Sequence, residues 1–162
     1  MTENFYWKNW MKSSIKKRHI QLSELRMRLK NAKNNRQKYE LCDKLFNGYL
    51  HYQADSALVY VERKEQLLPM FYDPLLEQEL IINRAEVMGV MGMYSWAEQL
   101  LSQVQPSTLT PELLGYYYRT MRANYGWFAD YLVNKDLKEM YQEKTHIYRD
   151  SIMLTTSPGI DH

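Results

Sequence analysis

Small residues placed where helices would have to touch are the strongest limit on how this chain can fold. Ala85, Gly92, Tyr94 and Ala97 follow one another at helix-and-turn spacing. Each has a mechanical job. Ala85 lets a partner helix approach, Gly92 takes the left-handed backbone of a tight turn, Tyr94 plugs the gap between two helices, and Ala97 marks the closest crossing of the second. Setting Ala57 equivalent to Ala97 gives a step of 40 residues, and Leu45, Ala85 and Ala123 then fall at matching places, 40 and 38 residues apart. A recurring unit of this length argues for stacked helix pairs. The competing arrangement is an ordinary helical bundle that also sets small residues at its crossings.

The rest of the chain reads as helices separated by strong punctuation. Trp7, Met11, Ile15, Leu22, Leu25 and Leu29 recur at threes, fours and one seven, a narrow stripe on a long first helix that the polar run Asn31 to Asn35 interrupts. A second helix carries Leu41/Cys42, Leu45/Phe46 and Tyr49/Leu50. Asp55 or Ser56 is a cap for a third, with Ala57, Leu58, Val61 and Leu67/Leu68 inside and Pro69 at its end. Asp73-Pro74 and Thr110-Pro111 are cap-plus-proline starts for the fourth and sixth helices. Ser95-x-x-Glu98 reads as a capping box for a fifth that runs to Pro106, and Asp136-x-x-Glu139 opens a seventh. Strict alternation never survives beyond a few residues, so no strands are expected.

Composition closes off several classes. The 162 residues suit one domain, and a chain of this size buries roughly 70% of its unfolded surface. Six Gly and five Pro are too few for a turn-rich sandwich or a disordered chain, and the single Cys42 excludes an internal disulfide and a multi-cysteine zinc site. Cys42 lies on an apolar stripe, which favours a buried structural thiol over a nucleophile. His19, His51, His146 and His162 form no pair at ligand spacing, and no Glu-x-x-His motif is present. Gly89-Val90-Met91-Gly92 follows a helix and not a strand, so it is no phosphate cradle. Neither an enzyme nor a cofactor or metal protein is expected.

Charge is uneven. Residues 1–40 carry eleven Lys or Arg against three Glu, whereas 41–162 carry ten against sixteen acidic residues. The basic residues are spread over many turns, as on a solvated helix face. Two alternatives stay open: a coiled-coil dimerisation or nucleic-acid-binding arm, and a bundle enclosing a small apolar ligand among ten Met. The first residues show no charged-then-apolar leader, and the apolar stretch from Leu80 to Ala97 is broken by Asn83, Arg84 and Glu86, so no membrane span is expected.

The Ala85…Gly92-x-Tyr94-x-x-Ala97 spacing resembles that of a tetratricopeptide hairpin, here in units longer than the usual ~34 residues. The run from Arg36 to Phe46, followed by Tyr49, Tyr52, Asp55 to Tyr60 and Arg63-Lys64, is similar to the tetratricopeptide-type N-terminal region of a family of membrane-anchored regulators from the Bacteroides group. Lys17-Arg18 with Leu22, Leu25 and Leu29, Tyr94-x-x-Ala97, and Ser107 to Tyr118 also fit, so the likeness covers about residues 15–158. The resemblance implies a sensor region outside the inner membrane, hence periplasmic. In the family a membrane helix, a coiled coil and a DNA-binding helix-turn-helix follow. Direct nucleic-acid binding is therefore not expected of this portion, and its membrane link would run through flanking segments.

The expectation is an all-α, irregular tetratricopeptide-like solenoid of about three helix pairs: a basic helix over 1–35, a repeat domain over 36–154, and a linker or tail over 155–162. Its function is expected to be non-catalytic recognition of a protein or peptide, with a homodimer as a further possibility. In the tetratricopeptide frame the groove falls to Tyr39, Phe46 and Tyr49 in the first pair, Glu79, Ile82 and Glu86 in the second, and Tyr117, Thr120, Asn124 and Trp127 in the third. Aromatic walls with acidic and amide groups suit an extended peptide.

Overall fold

The protein is described by a computed structural model covering the backbone of residues 3–156 and the side chains of 6–155. Of the expected tail over 155–162, residues 157–162 lie outside the described part, and 155 and 156 close the last helix. Seven α-helices and no strand occur among the described residues: α1 (Glu3–Asn31), α2 (Asn35–Tyr49), α3 (Ala54–Leu67), α4 (Pro74–Val90), α5 (Tyr94–Leu101), α6 (Pro111–Tyr131) and α7 (Lys135–Thr156). The chain divides into two compact units, Met1–Met70 and Phe71–His162.

In the first unit α2 packs on α3, and α1 lies against α2. The Asn34 side chain accepts from the amide of Gln37 at 2.8 Å and so starts α2. α2 buries Leu41, Cys42, Leu45, Phe46 and Tyr49 against Ala57, Tyr60 and Val61 of α3. The stripe on α1 behaves differently from its sequence reading. Trp7, Met11 and Ile15 are exposed, and among the described α1 residues only Leu22 is buried, with Leu25 and Leu29 half-buried. Leu22 fits because α2 presents Gly48: a Cβ there would stand 2.6 Å from the Leu22 Cδ2. Further along, Tyr52 hydrogen-bonds the His19 ring at 2.7 Å.

The second unit holds two hairpins, α4/α5 and α6/α7, with α6 packed on both α4 and α5. Ile82 and Ala85 of α4, Ala97 and Leu101 of α5, and Tyr117, Met121 and Tyr125 of α6 form its core, together with Val104 from the following turn. Asp73 accepts from the Leu75 amide at 3.0 Å and Thr110 from the Leu113 amide at 3.4 Å, so both cap-plus-proline starts are formed. Gly92 sits at φ 82°, and the amide of Met93 reaches back to the Met88 carbonyl at 2.8 Å, closing α4 with a left-handed turn.

Other boundaries correct the sequence reading. α3 begins at Ala54 after Gln53, which makes no side-chain cap, so neither Asp55 nor Ser56 caps it. α5 begins at Tyr94, which places Ser95 inside the first turn and leaves no capping box; Glu98 turns to tyrosine hydroxyls instead. α5 also ends at Leu101, well before Pro106, which opens a short 3-10 turn. The cap of α7 is Asn134, which accepts from the Leu137 amide at 3.0 Å, and not Asp136.

Tyrosines join α6 to α7. Tyr118 and Tyr125 meet Tyr148 at 5.9 and 5.5 Å between ring centroids, and Tyr125 and Phe128 meet Tyr141 at 5.6 and 4.6 Å. Glu98 of α5 accepts from Tyr125 at 3.2 Å and Tyr141 at 3.1 Å, and Lys144 of α7 lies 3.4 Å from the same carboxylate. Burial and the Glu98 charge both push the Tyr125 and Tyr141 hydroxyls above the ordinary tyrosine range.

Candidate protein-contact surface

Most of the residues assigned to a groove from sequence are packed inside their units. Tyr39, Phe46 and Tyr49 of α2 are buried. Tyr49 stacks on Tyr60 of α3 with ring centroids 5.7 Å apart, and its hydroxyl accepts from Arg26 of α1. Tyr39 and Phe46 present their rings to Lys64 Nζ at 4.9 and 5.7 Å. Lys64 is fully buried and pairs with Asp43 at 2.6 Å, so these aromatics shield a charge and do not line an open wall.

In the second unit Ile82, Tyr117, Thr120 and Asn124 are likewise buried. The Thr120 hydroxyl donates to the Tyr116 carbonyl one turn back at 3.0 Å, and the Asn124 amide donates to the Tyr94 carbonyl at 3.0 Å. The reason is a rotation of the frame. The tetratricopeptide frame puts Ala123 on the close-packed face of α6, yet it is only half-buried. The buried stripe is Tyr117, Thr120/Met121, Asn124/Tyr125 and Ala129, about one residue's turn of the helix away. α4 is enclosed on more than one side, since α5 and α6 both pack on it.

Three of the ten remain half-exposed: Glu79, Glu86 and Trp127. The Trp127 ring fills the gap above Gly89, where a Cβ would come within 3.2 Å of it. Glu86 accepts from the Tyr116 hydroxyl, which in turn accepts from the Asn83 amide at 3.0 Å. Burial, then the Glu86 charge, holds that hydroxyl well above the ordinary tyrosine range, so it stays a neutral donor.

The surface that does face solvent was missed. Trp96 is 67% exposed and Tyr131 72%, with Met93 beside them. They rim a shallow recess of about 230 Å³ at the α4–α5 turn and the end of α6, floored by Tyr94 and Phe128. Tyr94 stacks on Phe128 at 5.5 Å and leans on Tyr131 at 6.0 Å, which fixes the recess. One signal was available: Trp96 stands next to Ala97, and the neighbour of a residue at a tight crossing points off the buried face.

No group of three or more His, Cys, Asp or Glu among the described residues could hold a metal, and no described helix is long and apolar enough to cross a membrane. Cys42 is a buried free thiol, and burial raises its pKa, which leaves it protonated and unreactive.

Helix hairpins with Ala85 and Ala97 buried at the crossing and Gly92 in the left-handed turn define a helical repeat domain of the tetratricopeptide type. The chain belongs to the family described as the SusR N-terminal TPR domain, whose model matches residues 11–162. Nothing among curated proteins or solved structures matches it. Tetratricopeptide domains are in general non-catalytic repeat modules that mediate contact between proteins, and that coarse role is the one the family carries to this chain.

Proposed function

We propose that this domain is the sensor portion of a transcriptional regulator, non-catalytic itself, and that it takes up a protein or peptide partner at the aromatic recess of Met93, Trp96 and Tyr131. The observation that carries the reading is that two large aromatics are left in water beside a floor of stacked rings. Trp and Tyr in a well-packed setting are the side chains that anchor protein contacts, because they bring area at little conformational cost. The family supports the regulator half: a domain bearing the name of a regulator's N-terminal portion acts through what it contacts. Anchorage in a membrane, and a position on its outer side, would come from segments flanking this domain.

The test is selection of a displayed peptide library on the wild-type domain with counter-selection on Trp96→Ala/Tyr131→Ala. Enriched peptides should bind the wild type and lose roughly tenfold or more in affinity on the variant, a loss of about 1.4 kcal/mol. Peptides that bind both proteins equally, with the variant's helicity intact, would remove the recess as the contact site. Reading the full open reading frame tests the other half: a DNA-binding domain is expected downstream, and its absence would remove the regulator.

A further inference from the structure

The first unit carries a second feature, independent of the aromatic recess. Where α1, α2 and α3 come together there is an open cavity of about 600 Å³. Each helix sends a stripe into it: Arg26 and Lys30 from α1, Lys38 and Cys42 from α2, Tyr60 and Arg63 from α3. The intervals are four, four and three residues, so each pair shares a helix face. Four cations thus converge on one space.

Their charge is not answered from within. Among the described residues none of the four forms an ion pair. Arg26 donates to the Tyr49 hydroxyl and Arg63 lies 5.2 Å from the centre of the Tyr60 ring; neither contact neutralises a charge. Asp43, the carboxylate next to Cys42 in the chain, is already taken by Lys64. The buried groups of the floor add nothing negative either. Burial raises the pKa of both the Cys42 thiol and the Tyr60 hydroxyl, so each stays protonated at neutral pH.

We infer that this cavity is a binding site for a small multivalent anion, one bearing a phosphate, a sulfate or several carboxylates, held by Arg26, Lys30, Lys38 and Arg63. Two guanidinium groups supply planar forks that match oxyanion geometry, and the two ammonium groups supply point charges. The volume accommodates a ligand of ordinary metabolite size. Because the cations come from all three helices, a bound anion ties α1 to the α2/α3 hairpin, which otherwise grips it through Leu22 and a few polar contacts. Occupancy would therefore be felt along α1, where residues 6–21 are exposed.

The test is calorimetric titration of the whole 162-residue chain with pyrophosphate and, separately, citrate, at ionic strength held constant with sodium chloride. Three variants accompany the wild type: Lys38→Gln/Arg63→Gln, Lys30→Glu, and Lys8→Gln/Lys12→Gln, which removes the same charge far along α1. Binding in the sub-millimolar range is expected for at least one anion. The affinity should fall roughly tenfold or more in the two cavity variants and stay within about twofold in the distal control. Tighter pyrophosphate assigns the site to phosphate or sulfate groups, and tighter citrate to carboxylates. Binding should also slow amide exchange in residues 20–31. The inference is overturned if neither anion binds below about 10 mM, if the distal control loses as much as the cavity variants, or if the cavity variants, folded by circular dichroism, bind as well as wild type.

Discussion

Replacing Asp43 by Asn should be far more damaging than replacing its partner Lys64 by Met. Lys64 is fully buried, its ammonium 2.6 Å from a carboxylate that is 36% exposed. Removing the acid takes away the carboxylate that meets this ammonium at 2.6 Å inside the protein, a change that costs about 3–5 kcal/mol in fully enclosed pairs. Two features reduce the figure here. Water can follow the half-open path to position 43, and the Tyr39 and Phe46 rings at 4.9 and 5.7 Å go on attracting the ammonium by about 1 kcal/mol. The expected loss is therefore about 2–3 kcal/mol. Lys64→Met keeps an unbranched apolar stem against the same rings and leaves behind an acid with access to water, so its cost stays within about 1 kcal/mol. If the first unit melts separately, 1 kcal/mol moves its midpoint by roughly 4–8 °C, and Asp43→Asn should lower it by about 10 °C or more. Urea and thermal melts of the two single variants and the double variant measure this, and the double should track Lys64→Met, not the sum. Equal losses in the two singles, or a loss below about 0.5 kcal/mol for Asp43→Asn, would refute the claim that desolvation governs the pair.

Leu22→Ala should release α1 without unfolding the α2/α3 hairpin. A buried Leu ordinarily loses about 2–5 kcal/mol on truncation, but here the loss is capped by the docking energy of α1, so amide exchange should quicken in α1 while α2 and α3 keep their protection. Uniform acceleration in all three helices would show α1 to be integral to the hairpin. At alkaline pH the tyrosines set the limit. Burial, reinforced by Tyr148 and Tyr118, pushes Tyr117 up to about 12, above the ordinary value of about 10. Between those values the unfolded chain gives up a proton that the folded chain keeps, so stability is whole below about pH 10 and falls as pH rises toward 12. Melting temperature against pH should show that decline, and Tyr117→Phe should make it shallower, with the raised Tyr116 and Tyr125 hydroxyls carrying the rest.

The local punctuation of this chain was legible, and the neighbourhoods were not. Asp73-Pro74, Thr110-Pro111 and Gly92 each act on the few amides and carbonyls beside them, so residue identity alone specifies the outcome. Ala57, Ala85 and Ala97 were readable for a related reason: a crossing that leaves no room for a side chain leaves only small residues to choose from. Ala123 misled because a small side chain is also tolerated where nothing crosses. That one misplacement turned α6 and sent Tyr117, Thr120 and Asn124 to the wrong face. Glu98 satisfied the capping-box pattern, but its tyrosine partners come from α6 and α7, 27 and 43 residues onward, beyond any local rule. The basic cavity is hidden for the same reason, its four cations being spaced for a solvated surface within each helix and gathered only when three helices meet.

The ring contacts between α6 and α7 act as a vernier. Tyr118 and Tyr125 are seven residues apart on one rod, Tyr141 and Tyr148 seven apart on the other, and they mesh in opposite directions. A slip of one helical turn along α7 would carry both of its rings out of mesh together, and pull Tyr141 away from Glu98 in the same stroke. The last hairpin is thus indexed to a single position, and any signal that shifts it must do so in one jump and not by creep.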